Sequence, residues 1–190
     1  MAGKKVGVLA LQGAFAEHCQ IIAKLGHKAI EVRLPEDLDS LDALIIPGGE
    51  STTIHKLAKD YALIDPIVSF AKTKPVWGTC AGLILIARAV KGGQESLNLI
   101  DIVVERNAFG RQLDSFISDL KVQAIDDPDR QFPAVFIRAP IIESVGEGVE
   151  VIASLPESQI VAARERNIFV SCFHPELTKD SRMHQYFLRF

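Results

Sequence analysis

Short apolar runs alternate with helical patterns through the first half of the chain, and this alternation limits the fold more than any other feature. The runs predict strands at residues 5–11, 28–32, 43–46 and 75–79. Apolar residues at helical spacing predict helices at 14–25, from Ser51 or Thr52 to 59, at 64–72 and at 81–90. Repeated strand–helix units form parallel sheets covered by helices. We therefore predict an α/β fold: a three-layer, flavodoxin-like, mostly parallel sheet with helices on both faces.

The second half changes character, because most of its apolar runs are typical of strands separated by turns. They predict strands at 100–105, 119–125, 134–139, 149–153, 160–164 and 168–173, partly antiparallel, which extend or decorate the sheet. A closing helix is expected at 180–190 and a surface loop at 126–133. No linker interrupts the pattern, so residues 1–190 are predicted to form a single domain.

Composition and charge exclude several classes of function. The net charge is −3 and the basic residues are scattered, which gives no electrostatic footprint for nucleic acid. No apolar stretch approaches the roughly 20 residues that span a bilayer, and the N-terminal run is too short for a signal peptide. We expect a cytoplasmic protein without nucleic-acid or membrane partners. The three cysteines contain no CxxC pair, so neither a disulfide framework nor a structural zinc site is expected.

Gly78-Thr79-Cys80-Ala81-Gly82 has the form of a nucleophile elbow, with cysteine as the nucleophile. The turn would place Cys80 at a helix N-terminus, where the dipole favours a thiolate. It would also direct the Ala81 N–H toward a developing oxyanion. The alternative is a small buried cysteine in a close-packed turn. Cys19 and Cys172 lie in a helical and a strand pattern, and we expect both to be packing residues.

His174-Pro175-Glu176 follows a predicted strand and supplies a candidate base with a carboxylate to orient it. Proline favours extended backbone before it, and residues two apart in an extended segment point to the same side. Glu176 could then fix the tautomer of His174 and leave its other nitrogen for Cys80. The alternative is a surface pair at a strand end. The remaining histidines have no such context and are predicted to be surface or helix residues: His18, His27, His55 and His184.

The segment at 47–52, Pro-Gly-Gly-Glu-Ser-Thr, follows the third predicted strand. It should therefore lie at the same edge of the sheet as Cys80. Two adjacent glycines let the backbone approach a substrate and present N–H groups. A phosphate loop is the rival interpretation, but the GxxxxGK[ST] pattern is absent. A plain structural turn is the other alternative.

Several motifs occurring in order resemble those of the triad-type (class I) glutamine amidotransferases. Within that class, the chain resembles the glutaminase subunits of pyridoxal 5′-phosphate synthase. GxCxG and HPE are shared by the whole class, whereas LQGA, the ERN–FGRQ run and FIRAP are more specific. The matching segments are LALQGA at 9–14, PGGEST at 47–52, GTCAGL at 78–83, VERNAFGRQ at 104–112, FIRAP at 136–140 and FHPELT at 173–178.

The resemblance implies a role for each matching residue. Cys80, His174 and Glu176 would form the catalytic triad, and Gly49 and Ala81 would supply the oxyanion N–H groups. The glutamine pocket would be lined by Gln12, Gly48, Glu50, Ser51, Arg106 and Arg138. A free amino acid carries a carboxylate and an ammonium, which an arginine and Glu50 could bind. From spacing alone, both arginines could equally be solvated surface residues.

The resemblance also implies hydrolysis of L-glutamine with delivery of ammonia to a partner synthase subunit that makes pyridoxal 5′-phosphate. Activity without that partner would be weak, because the loop at Gly48-Gly49 must rearrange. No metal or organic cofactor is expected for this chemistry. Two alternatives stay open: a cysteine hydrolase or peptidase on the same fold, and a non-catalytic binding module.

Overall fold

A large sheet forms the centre of the molecule. The structure is a computed structural model that describes residues 3–106 and 115–190. Its strands are β1 (Lys5–Leu9), β2 (Lys28–Val32), β3 (Ala43–Ile46), β4 (Val76–Thr79), β5 (Ala87–Val90), β6 (Ile100–Glu105), β7 (Ser115–Leu120), β8 (Phe132–Ile137), β9 (Ile141–Val145), β10 (Glu150–Ser154), β11 (Ile160–Glu165) and β12 (Ile168–Ser171). Within the described ranges, the main sheet has the order β2-β1-β3-β4-β12-β11-β9-β6-β5, with β10 beside β11. Strands β7 and β8 pair separately.

Five α-helices connect or flank these strands in the described residues. They are α1 (Phe15–Lys24), α2 (Ser51–Asp60), α3 (Ile64–Ala71), α4 (Ala81–Ile86) and α5 (Arg182–Phe187). None of the helices in residues 3–106 and 115–190 has the length and apolar character needed to cross a membrane. The α/β, mostly parallel, flavodoxin-like fold predicted from the alternation is confirmed. That residues 1–190 form one domain stays a prediction.

The strand order creates a crevice between β1 and β3, where the order of successive strands across the sheet reverses. From β1 the chain pairs β2 on one side and β3 on the other, and both pairings are parallel. Strands β4 and β12 continue the parallel part. Every residue of β3 and β4 is buried, as expected for central strands covered on both faces. Ligands bind outside the carboxyl ends of such strands, at the switch point.

The helix predicted at 81–90 is wrong in its second half. Helix α4 ends at Ile86, and β5 follows at once and pairs in parallel with β6. The N–H groups of Leu97 and Leu99 donate to the carbonyls of Leu85 and Ile86, at 2.7 and 2.8 Å. The last carbonyls of α4 therefore accept hydrogen bonds from the following segment instead of from a further turn of helix. Periodicity alone does not separate a short buried helix from a buried strand.

The second half contains three further corrections. The strand predicted at 119–125 ends at residue 120. Leu120 and Val122 are buried on alternate positions, but no partner strand pairs with 121–125 in the described chain. The surface loop predicted at 126–133 is too long, because β8 begins at the fully buried Phe132. Strand β9 was not predicted at all.

Candidate active site

Cys80 occupies the sharp turn between β4 and α4 that the elbow pattern predicts. Its backbone has φ 48° and ψ −105°, a conformation that residues with side chains rarely adopt. The Cys80 N–H donates to the Ser171 carbonyl at 2.8 Å, which fixes the turn against the end of β12. Only 6% of Cys80 is exposed, and it lines a cavity at the strand ends. The fold therefore holds backbone strain at the candidate nucleophile.

The two glycines of the elbow allow close contact between backbones. A β-carbon on Gly82 would overlap the carbonyl oxygen of Ile46 at the end of β3. One on Gly78 would lie 2.7 Å from the carbonyl oxygen of Gly82. These contacts bring the start of α4 directly against the strands, and side chains at either position would push the elbow away from them.

His174 and Glu176 form the contact that the sequence predicted, on a different backbone. Residues Pro175–Leu177 form a single 3-10 turn, so the prediction of an extended segment is wrong. His174 Nδ1 nevertheless lies 2.6 Å from Glu176 Oε1, and both residues are buried. The fixed φ of Pro175 suits the first position of such a turn. The turn brings the carboxylate back to the imidazole.

Charges around His174 favour its imidazolium form. Burial lowers the pKa of His174, but hydrogen bonds to Cys80 and Glu176, together with their charges, outweigh burial and raise the pKa to about 10. Burial raises the pKa of Glu176, but the electrostatic influence of His18 and a hydrogen bond to His174 lower it well below its usual range. A carboxylate, an imidazole and a thiol in this order can activate a cysteine nucleophile.

Replacing Cys80 with alanine should lower the titration midpoint of His174. The Cys80 side chain, which raises the pKa of His174, is then absent, and only Glu176 opposes the effect of burial. Imidazole NMR titration of the full chain measures this midpoint directly. Cys172→Ala is the matched control, because Cys172 is a fully buried cysteine beyond the end of β12 and is no cause of the His174 shift. Equal midpoints in Cys80→Ala and wild type would contradict the proposed thiolate–imidazolium pair.

The glycine loop packs directly on the triad. A β-carbon on Gly48 would overlap His174 Cε1 and would lie 3.3 Å from Cys80 Cβ. The Ala14 N–H donates to the Gly48 carbonyl at 3.1 Å, and Gln12 Oε1 accepts from the Glu50 N–H at 2.8 Å. Gln12 and Ala14 come from the segment after β1. The ends of β1, β3, β4 and β12 therefore meet at one place, as the predicted topology required.

Glu50, rather than Ser51 or Thr52, is the N-cap of α2. Its carboxylate accepts from the backbone N–H groups of Thr52 and Thr53, at 3.2 and 2.7 Å, and from both threonine hydroxyls. Hydrogen bonds from the Thr52 and Thr53 side chains are the main reason that the pKa of Glu50 is lowered to about 2. The helix therefore already uses the carboxylate that we assigned to the substrate ammonium.

The two candidate arginines both line the cavity, and they differ in their contacts and exposure. Arg106 donates to Gln94 Oε1 at 2.7 Å and lies 3.7 Å from Glu50 Oε1. Ser51 Oγ also donates to Gln94, at 3.0 Å. Arg138 is exposed at the end of β8 with φ 42°, a left-handed conformation that is strained for arginine. The fold thus presents a guanidinium at the cavity mouth.

The cavity has a volume of about 450 Å³, within the range of small-molecule sites. Its lining includes every predicted oxyanion and pocket residue and two of the three triad residues; Glu176 lies behind His174. The lining residues predicted from sequence are Gln12, Gly48, Gly49, Glu50, Ser51, Cys80, Ala81, Arg106, Arg138 and His174. Residues 107–112 of the VERNAFGRQ motif lie outside the described residues.

Three residues near this site were missed from sequence. His18 in α1 and His184 in α5 were predicted to be surface or helix residues, and both are fully buried. His18 shares the face of α1 that buries Ile21 and Ile22, so helical spacing was the signal available. Gln94 had no signal, because it lies in an irregular segment before β6.

A metal site is not formed by the described part of the chain, in which no three His, Cys, Asp or Glu residues are grouped to hold an ion. Cys19 is half-buried, and burial and the charge of Glu31 raise its pKa to about 11. Cys172 is fully buried, and burial raises the pKa of its thiol well above the usual range. Both environments suit packing cysteines rather than nucleophiles.

Comparison with known proteins identifies the family. The sequence model of the SNO glutamine amidotransferase family matches residues 8–190. The chain belongs to the SNO glutamine amidotransferase family. It is 53% identical to "Pyridoxal 5'-phosphate synthase subunit PdxT" of Dehalococcoides mccartyi, covering 97% of this chain and 96% of that protein. The protein of the same name from Niallia circulans is 55% identical, with 97% and 96% covered.

A solved structure supports the same family assignment. The crystal structure of a glutamine amidotransferase superposes with a TM-score of 0.91 at 48% identity, covering 97% of each chain. Membership of the SNO family confirms the resemblance seen in the motifs. The elbow, the HPE turn and the glycine loop of this chain are the parts in which the class-wide motifs lie.

Proposed function

We propose that this chain hydrolyses L-glutamine to glutamate and ammonia through a thioester at Cys80. One observation carries the proposal: Cys80, His174 and Glu176 form a connected series whose open end faces a cavity lined by two arginines and the glycine loop. Membership of a glutamine amidotransferase family supports the same reaction.

The first half of the reaction, acylation of Cys80, starts from a Cys80 thiolate and a His174 imidazolium. The Cys80 thiolate attacks the side-chain carboxamide carbon of glutamine, which forms a C–S bond and moves the carbonyl electrons to oxygen. N–H groups of Gly49 and Ala81 stabilise this oxyanion. His174 then donates its proton to the nitrogen, the C–N bond breaks, and ammonia leaves the glutamyl thioester.

The deacylation half regenerates the enzyme. Neutral His174 takes a proton from water, and the resulting hydroxide attacks the thioester carbon. The C–S bond breaks, Cys80 recovers its thiolate beside the His174 imidazolium, and the glutamate product loses its carboxyl proton to solvent. Glu176 stays ionised throughout and stabilises the imidazolium.

Binding of the free amino acid requires one cation and one anion at the cavity. Arg138, which is exposed and lines the cavity, would bind the α-carboxylate, with Arg106 as a second cation in the lining. Glu50 is the acidic residue that lines the cavity, and Gln12 and Ser51 complete the polar lining. Because Glu50 also caps α2, we expect it to bind the ammonium with a carboxylate whose position the helix already fixes.

Gln94→Leu should raise the KM for glutamine by about tenfold with a smaller effect on kcat. Gln94 holds Arg106 through a hydrogen bond to a charged group, and such bonds are worth about 1.5–3 kcal/mol. Steady-state kinetics of ammonia release measures the change. Glu95→Leu is the control, because Glu95 is the exposed neighbour and pairs with His55 on the surface. A Gln94→Leu variant with wild-type KM would show that Arg106 does not need this contact.

We further propose that the ammonia passes to the synthase subunit of a pyridoxal 5′-phosphate synthase complex in the cytoplasm. The relatives named above are subunits of that enzyme, and they are about half identical over nearly the whole chain. Neither nucleic acid nor membrane is part of the proposal. No metal or cofactor is needed for the glutaminase steps as written.

The test mixes this chain with the synthase subunit, a pentose phosphate and a triose phosphate. Glutamine should support pyridoxal 5′-phosphate formation with the wild-type chain and not with Cys80→Ala. An ammonium salt should support it with both, because it bypasses the thioester. Failure of glutamine with the wild-type chain, while ammonium succeeds, would overturn the proposed hydrolysis. Ammonia release without cofactor formation would overturn the proposed partner alone.

A further inference from the structure

One fully buried histidine contacts Glu176 on the side opposite His174, and a second fully buried histidine contacts the first. His18 Nε2 from α1 lies 3.3 Å from Glu176 Oε2, while His174 Nδ1 lies 2.6 Å from Glu176 Oε1. His184 Nε2 from α5 lies 2.9 Å from His18 Nδ1. Side chains from two helices at different ends of the chain thus extend the triad into the core.

The contacts specify which ring nitrogens carry hydrogen. A carboxylate only accepts, so His18 Nε2 carries a hydrogen in either charge state. Burial lowers the pKa of His184 well below its usual range, so its ring is neutral. When His18 is neutral with its hydrogen on Nε2, its Nδ1 is an acceptor, and a hydrogen on His184 Nε2 donates to it at 2.9 Å. The other tautomer would bury the N–H of His184 Nδ1, an atom that has no partner in the described chain.

His18 Nε2 is the polar group that lies beside Glu176 Oε2, an oxygen with no hydrogen-bond donor in the described chain. At 3.3 Å this is an electrostatic contact rather than an aligned hydrogen bond, and Glu176 Oε2 has no aligned donor among residues 3–106 and 115–190. Leaving a buried charged oxygen without a donor is costly. Trp77 packs edge-on against both histidine rings, with ring centroids 5.9 and 5.0 Å away, which restricts their rotation.

We propose that His18 is a positioning residue for the triad, because its Nε2–H stabilises the second oxygen of Glu176. His184 keeps His18 in the tautomer that carries this hydrogen. The inference rests on the proposed hydrolysis at the same site. Neither histidine lines the substrate cavity, so neither touches glutamine. Their effect reaches the reaction through Glu176 and His174.

The proposal has a definite electrostatic consequence. A donor on Oε2 draws charge away from Oε1, so removing it leaves more negative charge facing His174 and raises the proton affinity of the His174–Glu176 pair. The titratable groups facing this pair in the described chain are Cys80 from the elbow, His18 from α1 and His184 from α5. Cys172 is not a cause of the pKa shift of either His174 or Glu176.

The test compares His18→Leu with His18→Gln, each in a Cys80→Ala background that removes the thiolate. Gln carries a donor nitrogen near the position of Nε2, whereas Leu carries none. Imidazole NMR should show the His174 midpoint raised by about one pH unit in the leucine variant and largely restored in the glutamine variant. Equal midpoints in the Cys80→Ala parent and its His18→Leu variant, or an equal rise in both His18 variants, would overturn the proposal.

Kinetics with Cys80 intact and the synthase subunit present gives a second readout. His18→Leu should lower kcat about tenfold with little change in KM, and His18→Gln should recover most of that loss. A raised KM with unchanged kcat would contradict a role through the triad. If His18→Leu does not fold, His184→Leu and His184→Gln replace the pair in the NMR comparison. A midpoint raised in His184→Leu alone supports the proposal, and equal midpoints overturn it.

The two readouts separate this inference from the proposed function. The NMR midpoint needs no glutamine and no turnover, so it reports on His18 even if the wild-type chain hydrolyses nothing. Loss of wild-type hydrolysis would therefore overturn the proposed function and leave the positioning result standing.

Discussion

Glycine at position 80 should abolish glutamine hydrolysis and yet give a more stable chain than alanine at the same position. Both Cys80→Gly and Cys80→Ala remove the nucleophile, and loss of a nucleophile typically costs about 10⁴-fold or more in kcat. They differ in backbone strain, because Cys80 has φ 48° and only glycine adopts such angles without penalty. That strain is worth about 1–3 kcal/mol, and the extra freedom of glycine in the unfolded chain offsets about 0.4–1 kcal/mol.

We therefore expect Cys80→Gly to exceed Cys80→Ala in free energy of unfolding by about 1 kcal/mol. Denaturant unfolding of the two variants measures the difference, and ammonia release measures the activity. At an ordinary position in a helix or strand, alanine is the more stable of the two. Greater stability of the alanine variant would show that the elbow is not strained. Residual hydrolysis in either variant would show that Cys80 is not the nucleophile.

Gly82→Ala should cause a large loss of stability for the addition of a single methyl group. The added β-carbon would overlap the Ile46 carbonyl oxygen at the end of β3, and neither backbone can move without disturbing the centre of the sheet. Overpacking against side chains costs about 1–3 kcal/mol, and a backbone contact has less room to relax. We expect a loss of about 3 kcal/mol or failure to fold.

Gly148→Ala is the matched control for Gly82→Ala. A β-carbon there would lie 3.5 Å from Glu165 Oε1, an ordinary contact, and its φ is not in the left-handed region. Its free energy of unfolding should stay within about 0.5 kcal/mol of wild type. Thermal and denaturant unfolding of both variants gives the comparison. A Gly82→Ala variant as stable as Gly148→Ala would mean that the elbow is not packed on β3 as described.

Local chemistry made much of the site predictable. Gly78 and Gly82 flanking Cys80 indicate a close-packed turn, and strand ends in a parallel sheet meet at one edge. These two facts are enough to bring Gly48, Cys80 and His174 together. The structure adds the contacts: Gly48 lies against His174 Cε1 and Cys80 Cβ, and a side chain at position 48 would fill that space.

Other features depended on partners distant in sequence. Residues 87–90 are compatible with either a helix or a strand, and they form a strand because they pair with β6. Glu50 follows two glycines, and the sequence suggested a carboxylate available to a ligand. In the structure, this carboxylate accepts hydrogen bonds from the backbone N–H groups at the start of α2, which have no partner within the helix. In both cases the local sequence is compatible with two arrangements whose backbone and side-chain polar groups are hydrogen-bonded. It does not show which of the two has the lower free energy.

The sequence by itself determined the parallel core, the elbow at Cys80, the carboxylate beside His174 and the family to which the chain belongs. The elbow and the carboxylate follow from residues close together along the chain, where backbone geometry limits the possibilities. The core and the family follow from short patterns that recur along the chain. Only the tertiary structure placed His18 and His184 behind Glu176, because they come from helices 166 positions apart. A polar side chain on an apolar helix face is stable only when folding supplies its partner, and that partner is identified only once the helices have packed.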